Sequence, residues 1–292
     1  MTLRPRRSAL YMPGSNARAL EKARTLAADT LILDLEDAVA PQAKEAARAL
    51  VCAAVAGGGY GHRELVIRIN ALDTPWGAED LQAAARSGAD AVLLPKPNTG
   101  ADIAAATAAL AKADAPDAMR LWAMIETPLA ILNLQEIAAA VRQPGARLAC
   151  FVLGTNDLVK ETRADLSASR RPALYWLSAS ITAARAYGLD VLDGVYNDFK
   201  DADGFARECE HARALGFDGK TLIHPDQVAP ANAAFAPREA EVAWARKIIA
   251  AFQQPENTGK GVITVDGRMV ELLHAEMARR TVAIAEAIHD RG

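Results

Sequence analysis

The stretch AAARSGADAVLLPK, residues 83–96, holds one complete joint of the fold: an alanine-rich segment, then Gly88-Ala89-Asp90, then the apolar run Ala91 to Pro95, then Lys96. A glycine just past a helical pattern is a stop signal, because it takes the left-handed conformation without a Cβ penalty. The short apolar run that follows has the length and composition of a strand buried on both faces. The same joint recurs at Gly188-Leu189-Asp190 and Gly216-Phe217-Asp218. Working outward, eight such runs stand out: Ser8 to Met12, Thr30 to Leu35, Leu65 to Asn70, Ala91 to Pro95, Leu121 to Glu126, Leu148 to Leu153, Asp190 to Asp193, and Gly219 to Ile223. Helical patterns lie between them, at Ala17 to Ala28, Gln42 to Ala56, Ala78 to Ser87, Ile103 to Lys112, Leu129 to Val141, Ala173 to Tyr187 and Gly204 to Leu215. Strict alternation of this kind favours a parallel sheet, and eight units in roughly 230 residues match a closed (β/α)₈ TIM barrel.

Residues 1–236 are assigned to that barrel and 237–292 to a C-terminal helical extension. In the extension Arg238 to Phe252 has helical character, Pro255 to Gly261 is a polar loop and Val262 to Val265 a short strand. Asp266-Gly267 is a turn into a last helix, Met269 to Ile288. Such a tail is too long for a cap, and the expectation is a lid over the barrel mouth or over a neighbouring subunit.

Composition narrows the work such a barrel does. With 33 basic and 36 acidic residues the formal charge is -3, which argues against nucleic acid or an anionic membrane surface as the main partner and for a small molecule. Cys52, Cys150 and Cys209 are odd in number and far apart, the pattern of core thiols in a reducing compartment and not of a disulfide framework or a zinc site. No apolar run approaches the eighteen or so residues of a membrane span, so a cytoplasmic protein is expected.

In a barrel of this kind catalytic groups project from the C-terminal strand ends. The polar residues there are Asp34, Glu36 and Asp37 after the second strand, Arg68 and Asn70 at the third, Lys96 after the fourth, Glu126 at the fifth, Asp157 after the sixth and His224 after the eighth. Glu126 and Asp157, from neighbouring strand ends, suit a Mg²⁺ ion held by one oxygen each, with water and substrate completing the octahedron. Arg68 beside them has the planar fork that grips a carboxylate through two parallel bonds. The competing assignment is an ion pair of Arg68 with Glu126 or Asp157 that needs no ligand. Three acids crowded at Asp34, Glu36 and Asp37 repel one another unless a cation offsets them, which assigns Glu36 and Asp37 to orienting metal-bound water. Between the first strand and its helix, Ser15 or Asn16 is a candidate cap; Lys22, with Arg4, Arg6 and Arg7, makes that helix start a weak candidate for binding a phosphate. No nucleophile elbow with a Ser-His-Asp or Cys-His order is present, which sets ordinary hydrolases aside.

Taken together, eight stretches resemble the family of the citrate lyase β-subunit and malyl-CoA lyase, part of a larger group with the 2-keto-3-deoxy-sugar-acid aldolases. They are RSALYMPGSN (7–16), LDLEDAV (33–39), VIRIN (66–70), LLPK (93–96), IETP (125–128), GTNDL (154–158), GKTLIHP (219–225) and VDGRMVE (265–271). The resemblance implies Mg²⁺ on Glu126 and Asp157, Arg68 on the carboxylate of an oxo acid, and Tyr11, Lys22, Ile223 and His224 against a coenzyme A thioester. It also implies a homotrimer or hexamer whose tails lid one another's sites. Where the family typically carries an Asp as acid/base in the tail, this chain has Glu271. The implied reaction is cleavage of a malyl-, citramalyl- or citryl-CoA type 2-hydroxyacyl thioester to a 2-oxo acid and an acyl-CoA. The alternatives are a 2-keto-3-deoxy acid aldolase, a malyl-CoA thioesterase, and a citrate lyase β-subunit that works only in complex with an acyl-carrier protein.

Overall fold

Eight parallel strands pair in chain order, and the first closes on the eighth. In the computed structural model, which describes residues 3–291, they are β1 (Ser8–Pro13), β2 (Thr30–Asp34), β3 (Glu64–Arg68), β4 (Ala91–Leu94), β5 (Arg120–Ile125), β6 (Leu148–Leu153), β7 (Asp190–Asp193) and β8 (Gly219–Leu222). Twelve helices are α1 (Ala17–Ala23), α2 (Lys44–Gly57), α3 (Gly77–Ser87), α4 (Gly100–Lys112), α5 (Pro128–Leu132), α6 (Leu134–Ala139), α7 (Thr155–Thr162), α8 (Leu174–Ala186), α9 (Ala202–Leu215), α10 (Val228–Phe235), α11 (Glu239–Phe252) and α12 (Leu272–His289). The TIM barrel is therefore present, with each strand within two residues of its sequence assignment. Three helical details differ. The pattern Leu129 to Val141 breaks at Asn133, whose amide donates to the Asn98 carbonyl (2.8 Å). The segment Thr155–Thr162 is a helix although it is short and polar, and α1 stops at Ala23.

The chain divides into two compact units, Arg6–Ala234 and the segment from Phe235 onward together with the N-terminal residues up to Pro5. Inside the first, alternation along each strand decides which side chains enter the barrel. Ala9, Ile32, Val66, Leu93, Trp122, Met124, Cys150, Val152 and Leu192 form one buried cluster there. Two residues further along the same strands, the inward positions become Tyr11, Asp34, Arg68 and, just past β5, Glu126. The apolar filling thus gives way to charge at the C-terminal end.

The opposite, N-terminal end is closed by ion pairs. Arg6 donates through Nε and Nη2 to Glu64 at 2.7 Å each and also pairs with Asp190, while its guanidinium lies 4.9 Å from the Trp122 ring. Arg7 forks onto Asp29 at 2.8 and 2.9 Å. These two arginines lie at the far end of β1 from the start of α1, so they do not belong to a phosphate cradle there. The cap of α1 is Asn16, whose Oδ1 accepts from the Ala19 amide at 3.1 Å.

The second unit has its own small core of Ala245, Ile248, Ile263, Val265, Val270, Ala275 and Ala278. Here the sequence assignment needs correcting: Met269 does not begin the last helix. Arg268–Glu271 is a strand, β10, running antiparallel to β9 (Val262–Val265), and α12 starts at Leu272. Asp266 (φ 47°) and Gly267 (φ 75°) are both left-handed, the condition for a tight two-residue hairpin turn. Asp-Gly between two apolar alternations is a hairpin signal before it is a helix start. Among the described residues no helix is long and apolar enough to cross a membrane.

Candidate active site

Asp34 and Arg68 are register partners, the last residues of neighbouring strands, and both point into the barrel mouth. Arg68 Nε donates to Asp34 Oδ1 (2.7 Å) and Nη2 to Asp34 Oδ2 (2.6 Å). Its Nη1 meets Glu36 Oε2 and Asp37 Oδ2, each at 3.0 Å, and its guanidinium lies 4.9 Å from the Tyr11 ring. Arg68 is thus an ion-paired group, but its partners are Asp34, Glu36 and Asp37 and not Glu126 or Asp157. Burial works to lower the Arg68 pKa, but Tyr11, Asp34 and Glu36 together outweigh it and hold it well above the ordinary arginine value.

The loop that carries Glu36 and Asp37 is fastened from several sides. Asp34 also accepts from the backbone amides of Glu36 (2.9 Å) and Ala38 (3.0 Å). Lys44, a buried lysine in the first turn of α2, donates to the carbonyls of Leu35 (2.9 Å) and Glu36 (2.6 Å), and Asn70 Nδ2 donates to the Leu35 carbonyl (2.9 Å). The sequence shows Asp34 only as one of three crowded acids, not as the partner of Arg68, and gives no sign of Lys44. The register pairing that would reveal the first, and the helix start that would place the second under the loop, are not written in local pattern.

Glu126 is 1% exposed. Its Oε1 accepts from the backbone amide of Lys96 (3.0 Å), and Gly154 makes room on its other side. A Cβ at Gly154 would lie 2.4 Å from Glu126 Cβ and 2.7 Å from Oε2. Burial first, then repulsion from Glu36 and Asp157, push the Glu126 carboxyl up to about 8, against the pull of Lys96 and Arg68. Burial likewise pushes Glu36 up to about 7, with Arg68 opposing and Asp37 adding to the rise. Asp157 lies in the first turn of α7, partly exposed, with Lys96 Nζ 3.6 Å from its Oδ1. Glu126 thus feels both Arg68 and Asp157 electrostatically at the barrel mouth.

The remaining expected residues divide. Tyr11 is grouped with Arg68 inside the mouth, its hydroxyl 4.0 Å from Met124 Sδ. Lys22 is an exposed residue in the last turn of α1. Ile223 is 40% exposed, and His224 Nδ1 accepts from the Asp226 amide at 3.2 Å. Against His224 stacks Phe199, with ring centroids 4.7 Å apart and 13° between planes. An aromatic in the polar stretch YNDFKDAD carries no periodic signal, which is why the sequence does not reveal Phe199. In the second unit, Glu271 closes β10, and its backbone amide donates to His274 Nδ1 (2.9 Å), which accounts for a histidine one turn into α12.

Among the described residues no three or more His, Cys, Asp or Glu side chains converge as a metal cluster. What the mouth offers instead is an all-oxygen pair, Glu126 and Asp157, backed by Glu36. Such a set fits a hard divalent cation that keeps most of its water, and the mutual repulsion of the acids is what such a cation relieves.

Comparison with known proteins gives the family. The model of the HpcH/HpaI aldolase/citrate lyase family matches residues 7–225. A (3S)-malyl-CoA thioesterase of Cereibacter sphaeroides (strain ATCC 17029 / ATH 2.4.9) is 50% identical over 284 residues, 97% of this chain and 96% of that one. Citrate lyase subunit beta of Escherichia coli (strain K12) is 36% identical over 288 residues, 97% and 94% of the two chains. Among solved structures, CitE from Mycobacterium tuberculosis in complex with magnesium, acetoacetate and coenzyme A is 32% identical, with a TM-score of 0.73 over 95% of this chain and 97% of that one. A family match across almost the whole barrel, joined to relatives that align from end to end, makes this chain a member of the HpcH/HpaI aldolase/citrate lyase family of enzymes.

Proposed function

We propose that this enzyme acts on a small 2-hydroxyacyl-CoA thioester of the malyl type, with Mg²⁺ held by Glu126 and Asp157. The observation that carries the reading is the pocket itself, in which those two carboxylates and Glu36 face Arg68 at the mouth of one barrel. The magnesium and coenzyme A bound by the solved CitE relative support it. Bound there, the ion supplies Lewis-acid polarisation of the substrate's 2-oxygen.

The chain's own residues do the rest. Arg68, positive and already oriented by Asp34, attracts the substrate carboxylate through the edge of its guanidinium left to Nη1 and Nη2. Glu36 and Asp37 yield that edge, or share it, and orient water beside the carboxylates. In the cleavage direction the hydroxyl proton passes to the water that Glu36 and Asp37 orient, and the bond between the carbinol carbon and the α-carbon of the thioester breaks. Its electron pair passes into the thioester enolate, and the α-carbon takes a proton, in this reading from Glu271. The products are a 2-oxo acid and an acyl-CoA. Tyr11, Lys22, Ile223 and His224 are assigned to the thioester arm. A homotrimer or hexamer with the tail as lid follows from the same reading, and the exposed Met269, Leu272, Leu273 and Met277 in the second unit support an interface there.

A second outcome is favoured by one specific observation: the relatives at 50% identity are named as thioesterases. In that case water breaks the C–S bond and the products are the hydroxy acid and free CoA thiol. Incubation of the full chain with Mg²⁺ and malyl-, citramalyl-, methylmalyl- and citryl-CoA separates the two, because only cleavage yields an oxo acid and only hydrolysis yields free thiol. Glu126→Ala and Asp157→Ala should each abolish Mg²⁺-dependent turnover. Full activity in either variant would remove the metal assignment.

A further inference from the structure

Among the described basic side chains of the mouth, Lys96 is held only by long ion pairs. Its Nζ stands 3.6 Å from Asp157 Oδ1 and 3.9 Å from Glu36 Oε1, between acids from two sides of the pocket. Both distances exceed the roughly 2.7–2.9 Å of a charge-assisted hydrogen bond, so the ammonium balances the acids without docking on either. Arg68, by contrast, is locked in a two-bonded fork on Asp34 and cannot move between them. The Lys96 side chain is 39% exposed, which leaves it a way out to solvent.

Its backbone is held where its side chain is free. Lys96 has φ 52°, one of four left-handed non-glycine residues among those described, and its amide donates to Glu126 Oε1. A lysine in that region is strained, and the strain persists because the surrounding structure fixes it. The result is a residue whose main chain orients Glu126 and whose ammonium balances the charge of Glu126, Glu36 and Asp157 together.

Building on the metal reading above, we infer that Lys96 is a built-in competitor of the divalent cation: its ammonium stands between Asp157 and Glu36 and lowers the enzyme's affinity for Mg²⁺. A cation entering the pocket meets a positive charge a few ångströms away. It must displace the lysine to solvent or bind against it, and either route weakens binding. The lysine thereby keeps the acid cluster folded without metal and leaves the ion exchangeable.

The test is calorimetric titration of Mg²⁺ into the full chain at fixed pH and low salt. Lys96→Met keeps the stem and the backbone amide but removes the charge, and should tighten Mg²⁺ binding by about tenfold or more. Lys96→Arg keeps the charge and should not tighten it. Lys112→Met, on the outer end of α4, controls for net charge and should leave the affinity unchanged. Thermal unfolding gives a second readout: Lys96→Met should be less stable than wild type without metal and gain more from saturating Mg²⁺. Should Lys96→Met fold poorly, Lys96→Gln serves the same comparison. Unchanged or weaker Mg²⁺ binding in the neutral variants, beside a normal wild-type titration, would overturn the inference while leaving the metal site standing. A wild-type chain that binds no Mg²⁺ would overturn both.

Discussion

Arg68 and Asp34 meet as a two-bonded pair across adjacent strand ends, at 2.7 and 2.6 Å, and that pair fixes the direction in which the guanidinium faces the barrel mouth. The arginine that the sequence marks as a substrate ligand is therefore itself a ligand of a buried acid, and the acid determines what part of the fork remains for a substrate.

Asp34→Asn tests this directly. The amide keeps the size but loses the charge and one acceptor, so Arg68 retains one bond to residue 34 and, as anionic partners, only Glu36 and Asp37, while the Glu36–Ala38 turn loosens. Breaking one side of a buried pair typically costs about 3 kcal/mol or more. A misplacement of about 1 Å in the reacting groups costs roughly a hundredfold in rate. Urea denaturation and steady-state kcat/KM should fall by those amounts together. Wild-type turnover in a destabilised Asp34→Asn enzyme would show that Arg68 orientation does not limit the reaction.

Gly154→Ala should damage the site through Glu126. Gly154 has φ -96°, so no backbone strain is involved; the requirement is space, since the added Cβ would stand 2.4 Å from Glu126 Cβ. Overpacking of this kind costs about 1–3 kcal/mol. The circular dichroism spectrum should stay that of the wild type while Mg²⁺-dependent turnover falls by at least about tenfold, in line with a displaced carboxylate. An unchanged rate would mean that Glu126 is free to move without consequence.

Acid sensitivity should be concentrated behind β7 and β8. Asp193 is fully buried and accepts from Lys220 Nζ (2.8 Å) and Arg170 Nη2 (2.5 Å), while Glu208 on α9 completes the group. Burial alone would raise the Asp193 carboxyl, but the charges of Lys220 and Arg170 and their hydrogen bonds outweigh it and hold it below the usual value. A depressed carboxylate stabilises the fold above its unfolded pKa of about 3.9 and loses that contribution as pH falls through the lower, folded value. The urea midpoint should decline as pH drops below about 4. Asp193→Asn should be less stable at pH 7 by about 3 kcal/mol and show a shallower acid decline. An acid limb identical to wild type in that variant would assign the effect to other carboxylates.

The strands were legible because each is buried on both faces, which turns it into a continuous apolar run with little competing signal. Thr155–Thr162 carries no such signal: it is short and polar, and tertiary packing supplies what its pattern lacks. The acids and Arg68 were visible as strand-end residues. Who pairs with whom was not, since Asp34 meets Arg68 through strand register and Lys96 meets Asp157 across a loop, relations between distant residues that a local pattern does not encode. Asp266-Gly267 is a different case, in which the signal was present and the helix that follows it by four residues drew the boundary too early.

The hairpin and helices that carry Glu271 rest on an apolar cluster separate from the one that fills the barrel. A substitution near Glu271 is therefore felt first by seven small and branched side chains and not by the staves that orient Arg68 and Glu126. Under the proposed roles, that partition lets the residue assigned to proton handling change without disturbing the residues assigned to the ion and the acid.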